Sequence, residues 1–177
     1  MMAFELKENI TRAEKISAFA NSEVFEKIFV DGMDLVEETA QYLDGEGRQE
    51  SKLLDRNAAL AYASESMRLT TRLMQTASWL LVQRAIKEGE MSAKDALDEK
   101  YRIGAKAICA TSLNPAHDLP PKLKDLLIRS ERLYIRIERL DSAMFTEEEE
   151  APIQNPVNDQ LQKLQAAFGG FMQGGGD

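Results

Sequence analysis

Between Gly47 and Gly89 the chain runs 41 residues without a glycine or a proline, and no other stretch restricts the fold as strongly. With no breaker inside it, the run reads as one helix starting near Ser51 and closing at Lys87-Glu88-Gly89. At 3.6 residues per turn its apolar residues fall on two opposite sides. Leu53, Leu60, Met67, Met74 and Leu81 recur every seven residues on one side, and Tyr62, Leu69, Leu73 and Leu80 project from the other. Both stripes need covering. A helix of about 60 Å, at about 1.5 Å per residue, exceeds what a compact monomer of this length spans. The expectation is a homodimer with Tyr62, Leu69, Leu73 and Leu80 as the candidate interface, the opposite stripe being the alternative.

The flanking segments supply partners for this helix. Phe25, Phe29, Gly32 or Met33, Val36, Ala40 and Leu43 repeat at three and four, which predicts a helix ending near Asp44. Gly45-Glu46-Gly47 offers positive-φ residues for a reversal into the antiparallel long helix. Ser92-x-x-Asp95 reads as a variant capping box opening a short helix to about Ile103. Residues 104–119 read as a connection broken at Asn114-Pro115. Pro120 and Pro121 suit the first turn of a last helix, in which Leu123, Leu126, Leu127, Leu133, Tyr134, Ile137, Leu140 and Met144 keep helical spacing. No strand-like alternation appears. The predicted fold is all-α: an antiparallel three-helix bundle over residues 22–145 with one very long central helix. An arm of undecided order (residues 1–21) precedes it and an acidic, Gln/Gly-rich, disordered tail (146–177) follows.

The chemistry-bearing patterns are few. There is no phosphate-binding glycine loop, no H-E-x-x-H and no C-x-x-C. The one histidine, His117, lies in a loop beside Asp118 without a serine or cysteine partner in sequence view, so no catalytic residue is assigned. Glu37 and Glu38, or Asp95, Asp98 and Glu99, lack the Glu-x-x-His companions of di-metal bundles and read as solvated faces; no metal and no cofactor are expected. Cys109, the single cysteine, reads as a small buried apolar side chain and suits a reducing compartment. The amino-terminal residues carry charges where a signal peptide needs an apolar core, and no window is apolar enough to span a membrane. Cytoplasmic residence is expected, with recruitment to a cell pole as a further expectation. A net charge of −8 disfavours nucleic-acid partners, although the last helix carries Lys122, Lys124, Arg129, Arg132, Arg136 and Arg139. Interleaved with a full apolar stripe, those cations read as an outer, solvated face.

Two features point to partner binding. Glu65, Arg68 and Arg72, continued by Gln75, Trp79 and Gln83, share a polar flank of the long helix, and Arg68, Arg72 and Trp79 are the candidate contacts because Arg and Trp are favoured anchors. Internal helix support is the competing reading of the same residues. Small residues Ala63, Thr70 and Ala77 recur at sevens and would let another helix approach closely. In the tail, Leu161, Leu164, Phe168, Phe171 and Met172 form an apolar pattern too short to hold a helix alone. After the run Glu147 to Glu150 it reads as a docking element on a flexible tether, with a reach of roughly 30 Å at 5–6 Å times the root of the length.

The block SESMRLTTRLMQTASWLLVQRAIKEGEMS, most specifically Arg68 to Ser92, resembles the signature of the RcdA family, and FEKIFVDGMDLVEETAQYLDG resembles its first helix. These are small bacterial adaptors named for regulating CtrA degradation. The resemblance covers about residues 22–145 and implies a dimeric three-helix bundle with a flexible tail. The implied role is non-enzymatic: substrates or regulators are delivered to the ClpXP protease, together with co-adaptors, during cell-cycle progression. A dimeric helical scaffold, or a transcription-linked interaction protein without protease delivery, is the alternative that residue spacing alone leaves open.

Overall fold

The computed structural model describes residues 2–109 and 118–145, and among them every regular element is helical. Ser22 organises the first corner. Its hydroxyl donates to the Phe19 carbonyl (2.7 Å) and accepts from the Phe25 amide (3.1 Å), so one residue ends α1 (Met2–Ala20) and caps α2 (Glu23–Asp44). The arm left undecided by sequence is therefore a long helix. It is held by tertiary contact: Ala13, Ile16 and Ala20 are buried, and the Phe19 ring lies 5.8 Å from Phe25 and 5.7 Å from Trp79. Full burial of a side chain like Ile16 is worth about 1.5–3 kcal/mol, enough to fix a helix of modest intrinsic propensity.

Helix α2 ends at Asp44, as the spacing predicts, but its buried face is Phe25, Ile28, Gly32, Leu35, Thr39 and Tyr42. Of the residues whose spacing predicts this helix, Phe29, Met33, Val36 and Leu43 pack at the core's margin and Ala40 is exposed. The reversal is made differently from expectation. Gly45 has φ −106°, not a positive value, and the chain enters a short α3 (Glu46–Glu50). Both glycines are demanded by close approach: a Cβ at Gly45 would lie 2.8 Å from the Gln41 carbonyl oxygen, and one at Gly47 2.7 Å from the Tyr62 hydroxyl and 2.8 Å from the Tyr42 ring.

The long helix is shorter than the glycine-free run. A 3₁₀ turn (Ser51–Leu53) follows α3, Leu54 is extended, and Asp55 caps the start of α4 (Arg56–Lys87) by accepting from the Ala58 amide at 2.8 Å. At 32 residues it is about 48 Å long, not 60 Å. Aspartate competes with the helix for its own backbone, which a search for Gly and Pro overlooks. Gly89 closes the far end with φ +76°, as expected.

After α4 the expected short helix is two 3₁₀ turns, Asp95–Leu97 and Glu99–Tyr101. The Ser92 hydroxyl does accept the Asp95 amide (3.1 Å). Asp98, however, is extended and takes the Lys100 amide on its own carboxylate (3.0 Å), so the helix cannot continue. The single turn α5 (Lys106–Cys109) and α6 (Pro121–Phe145) complete the bundle. Lys87 pairs with Glu26, and Gly32 faces Leu80, so α2 and α4 are antiparallel. Lys122 and Arg129 pair with Glu38 while Leu133 faces Gly32, so α6 is also antiparallel to α2 and runs with α4. The fold is an all-α bundle in which α1 adds a fourth long helix to the three expected.

Candidate partner-binding surfaces

The stripe assigned to the dimer interface lies inside the chain's own core. Leu69 and Leu73 are buried and Tyr62 is half-buried beside Leu35, Tyr42, Leu123 and Leu126, and Leu80 is buried in the neighbouring cluster with Phe25, Ile28 and Ile137. The three leucines have no surface left for a second subunit, because α6 returns parallel to α4 and covers them, and only Tyr62 keeps part of its side chain exposed.

The candidate contacts Arg72 and Trp79 are internal as well. Arg72 is 2 % exposed. Its guanidinium donates through Nε and Nη2 to the Cys109 carbonyl (3.1 and 2.8 Å), and through Nη1 to the Leu127 carbonyl (3.1 Å) and the Ser130 hydroxyl (3.0 Å). It staples α5 and α6 to α4. Burial pulls its pKa below the ordinary arginine value, with Glu131 acting in the opposite direction. Trp79 donates Nε1–H to Asp141 (3.0 Å), and the other oxygen of that buried carboxylate accepts from Arg102 Nε and Nη2 (3.2 and 3.1 Å). Arg68 is only partly buried, bonded to the Ile108 carbonyl (3.1 Å) and paired with Glu65 (3.3 Å). Gln75 accepts from the Gly104 amide at 3.2 Å. The polar flank is thus the seat of the 102–109 segment. Arg72 and Trp79 are internal fasteners, while the partly exposed Arg68 makes the i,i+3 pair with Glu65 that the competing reading expects.

Cys109 is buried, its thiol pushed up by that burial. Tyr134 donates to the Gly104 carbonyl (2.8 Å) and is pushed up to about 12, mainly by burial, so it remains a donor. Asp141 and Arg102 escaped the sequence reading. The signal was available: Tyr134, Ile137, Asp141 and Met144 fall on one buried line of α6, and a carboxylate on such a line needs donors. His117 and the tail residues Leu161, Leu164, Phe168, Phe171 and Met172 lie outside the described residues.

What remains open is the other stripe. Leu60 (64 % exposed), Met67 (72 %), Met74 (65 %) and Leu81 (53 %) run down the outer face of α4, with Leu53 extending the line from the preceding turn. Between them the small Ala63, Thr70 and Ala77 sit three residues after Leu60, Met67 and Met74. Large residues alternating with small ones at heptad spacing are what a close-packed second helix fits. The four α4 side chains span about 32 Å, a longer apolar line than a monomer ordinarily leaves to water. A second exposed face, on α6, carries Arg132, Arg136 and Arg139. No cluster of metal-ligating side chains occurs among the described residues, and no described helix is long and apolar enough to cross a membrane.

The family model described as "Protein of unknown function (DUF1465)" matches residues 16–168. No curated protein matches the chain. Among solved structures, the crystal structure of RcdA from Caulobacter crescentus CB15 is 55 % identical, with a TM-score of 0.63, and the match covers 75 % of this chain and 99 % of that one. An identity of that size over the whole of a solved chain, together with a family model spanning most of this one, is decisive: the chain belongs to the RcdA family.

Proposed function

We propose that the protein is a non-enzymatic adaptor which binds protein substrates or regulators and delivers them to the ClpXP protease for cell-cycle-regulated degradation. The observation that carries this reading is the 55 % identity to RcdA over 99 % of that chain, a protein named as a regulator of CtrA degradation. The architecture suits binding better than bond chemistry. Among the buried polar side chains of the described residues, Arg72, Asp141 and Ser130 are bonded across helices, Thr39, Thr76 and Gln83 each keep a buried oxygen without a hydrogen-bond partner, and the exposed features are an apolar stripe and a basic face.

In this account two copies pair through the outer face of α4, using Leu60, Met67, Met74 and Leu81 with Ala63, Thr70 and Ala77 between them. The support is their exposure and spacing. Residues 146–177 act as the tether, with Leu161, Leu164, Phe168, Phe171 and Met172 docking on the protease assembly. The gain is effective concentration: a cargo held near the unfoldase is captured faster without any new contact to it. The protein works in the cytoplasm with co-adaptors, and recruitment to a cell pole follows from its partners.

The test is reconstitution of the unfoldase and peptidase with co-adaptors and a cargo protein. Addition of the full chain is expected to raise the degradation rate; an unchanged rate would refute delivery. Sedimentation of Met67→Glu/Met74→Glu against the unsubstituted chain addresses the pairing. The expected change is dimer to folded monomer, and an unaltered dimer would exclude this face.

A further inference from the structure

Helix α6 has two unlike faces. Inward, Leu123, Leu126, Ser130, Tyr134, Ile137, Asp141 and Met144 are buried. Outward, Lys124, Ile128, Arg132, Ile135 and Arg139 are all exposed at successive steps of four, four, three and four, with Arg136 beside them. Cations and isoleucines therefore alternate along one line about 22 Å long. Arg132, Ile135, Arg136, Arg139 and Leu140 line a shallow concavity of about 510 Å³ on it.

These cations are not used by the fold of the described residues. Arg129, one turn away, is paired with Glu38 (2.7 Å) and Asp125 (3.1 Å), and Glu138 is taken by Lys106 (3.2 Å). Lys124, Arg132, Arg136 and Arg139 make no ion pair among the described residues. On a chain of net charge −8 this is a local exception. Beyond about 8–10 Å the overall charge is screened at physiological salt, so a ligand close to this face meets the arginines first.

Simple solubility would not need isoleucines set between the cations at seven-residue spacing. A phosphodiester backbone would not use them either, since its recognition is carried by charge. A protein segment with carboxylates and apolar side chains on one face uses both: the carboxylates accept two-point hydrogen bonds from guanidinium groups, and the apolar groups cover isoleucine. We propose that the outer face of α6, centred on Arg132, Ile135, Arg136 and Arg139, docks an acidic amphipathic segment of a partner protein. The site lies on the side of α6 turned away from α4, so it is separate from the α4 stripe. It does not depend on delivery to a protease.

The test uses the full chain and fluorescence anisotropy. The probe is a labelled helical peptide of about 15 residues, matching the roughly 22 Å face, with glutamates four residues apart and two leucines seven apart. Its comparators are the same peptide with serine for leucine and a labelled duplex DNA. Saturable binding of the leucine peptide is expected, weakened about tenfold or more by Arg132→Glu/Arg136→Glu and several-fold by Ile135→Ser, with circular dichroism unchanged because these side chains are exposed. Loss of the leucines should weaken binding several-fold. Absence of binding, indifference to the arginine substitutions, or equal binding of the serine peptide or DNA would each overturn the proposal.

Discussion

Arg102→Met should be among the more damaging substitutions in the bundle although Arg102 is about one-third exposed, because it strands a buried charge. Asp141 is 3 % exposed and holds three donors: Trp79 Nε1–H on one oxygen and two guanidinium N–H groups on the other. The guanidinium carbon lies 4.4 Å from the Phe145 ring, and methionine replaces that stacked cation with a thioether that also packs against an aromatic ring. What is lost is the counter-charge. Removing one partner of a buried pair costs about 3–5 kcal/mol. Water at the exposed rim of Arg102 reduces that here to about 2–3 kcal/mol, or roughly 4–12 °C in Tm for a domain of this size. The decisive comparison is Arg102→Met/Asp141→Asn. An amide still accepts from Trp79 and carries no charge, so the second substitution should restore most of the stability, whereas Asp141→Asn alone should cost about 1 kcal/mol. Equilibrium urea unfolding of the four proteins measures the cycle. If Arg102→Met falls within 0.5 kcal/mol of the parent (roughly the scatter of neutral surface changes), or the double substitution is no more stable than Arg102→Met, the buried-charge argument is wrong.

Further expectations follow from single sites. Ala105 sits at φ 56°, a left-handed conformation that costs an L-residue about 1 kcal/mol, so Ala105→Gly should raise Tm by a degree or more in spite of the added chain entropy, and a fall would show that no strain is stored there. Glu38 is held below the ordinary carboxylate range, first by its hydrogen bond to Lys122 and then by Arg129. A depressed carboxylate contributes stability above its unfolded value of about 4.3 and loses it as pH falls through the folded value. Glu38→Gln should therefore cost about 0.5–1 kcal/mol at pH 7, with the difference shrinking toward zero in acid unfolding below about pH 4. The Cys109 thiol, buried and pushed up, should resist a thiol-specific reagent at pH 8 in the native protein and react at once in denaturant; rapid native labelling would contradict its burial.

Helix identity was legible from periodicity: α2, the body of α4 and α6 all appear in the spacing of Phe25 to Leu43, Leu69 to Leu80 and Leu123 to Met144, although the buried face of α2 is turned toward Ile28, Leu35 and Tyr42. The illegible parts turn on pairings that spacing does not encode. Leu60 to Leu81 and Tyr62 to Leu80 are equally good stripes in the sequence, and only the parallel return of α6 decides which is buried. Arg72 and Trp79 looked like anchors because arginine and tryptophan favour interfaces, yet the same hydrogen-bonding reach serves to fasten residues 102–109 and 127–141 inside one chain. The capping aspartates Asp55 and Asp98 explain the two boundary errors. Each side chain captures a backbone amide and stops a helix that composition alone would extend. Family membership was readable from the resemblance of the Arg68–Ser92 block to the family's signature, and physical reasoning from residue spacing would not have reached it.

The central claim, a folded bundle that binds and a tail that tethers, is tested most directly by comparing cargo degradation by reconstituted ClpXP and co-adaptors without the protein, with the full chain, and with a chain ending at residue 150. The account predicts stimulation by the full chain, none by the truncated one, and the same helical circular dichroism per bundle in both. Equal stimulation by the two chains would contradict it.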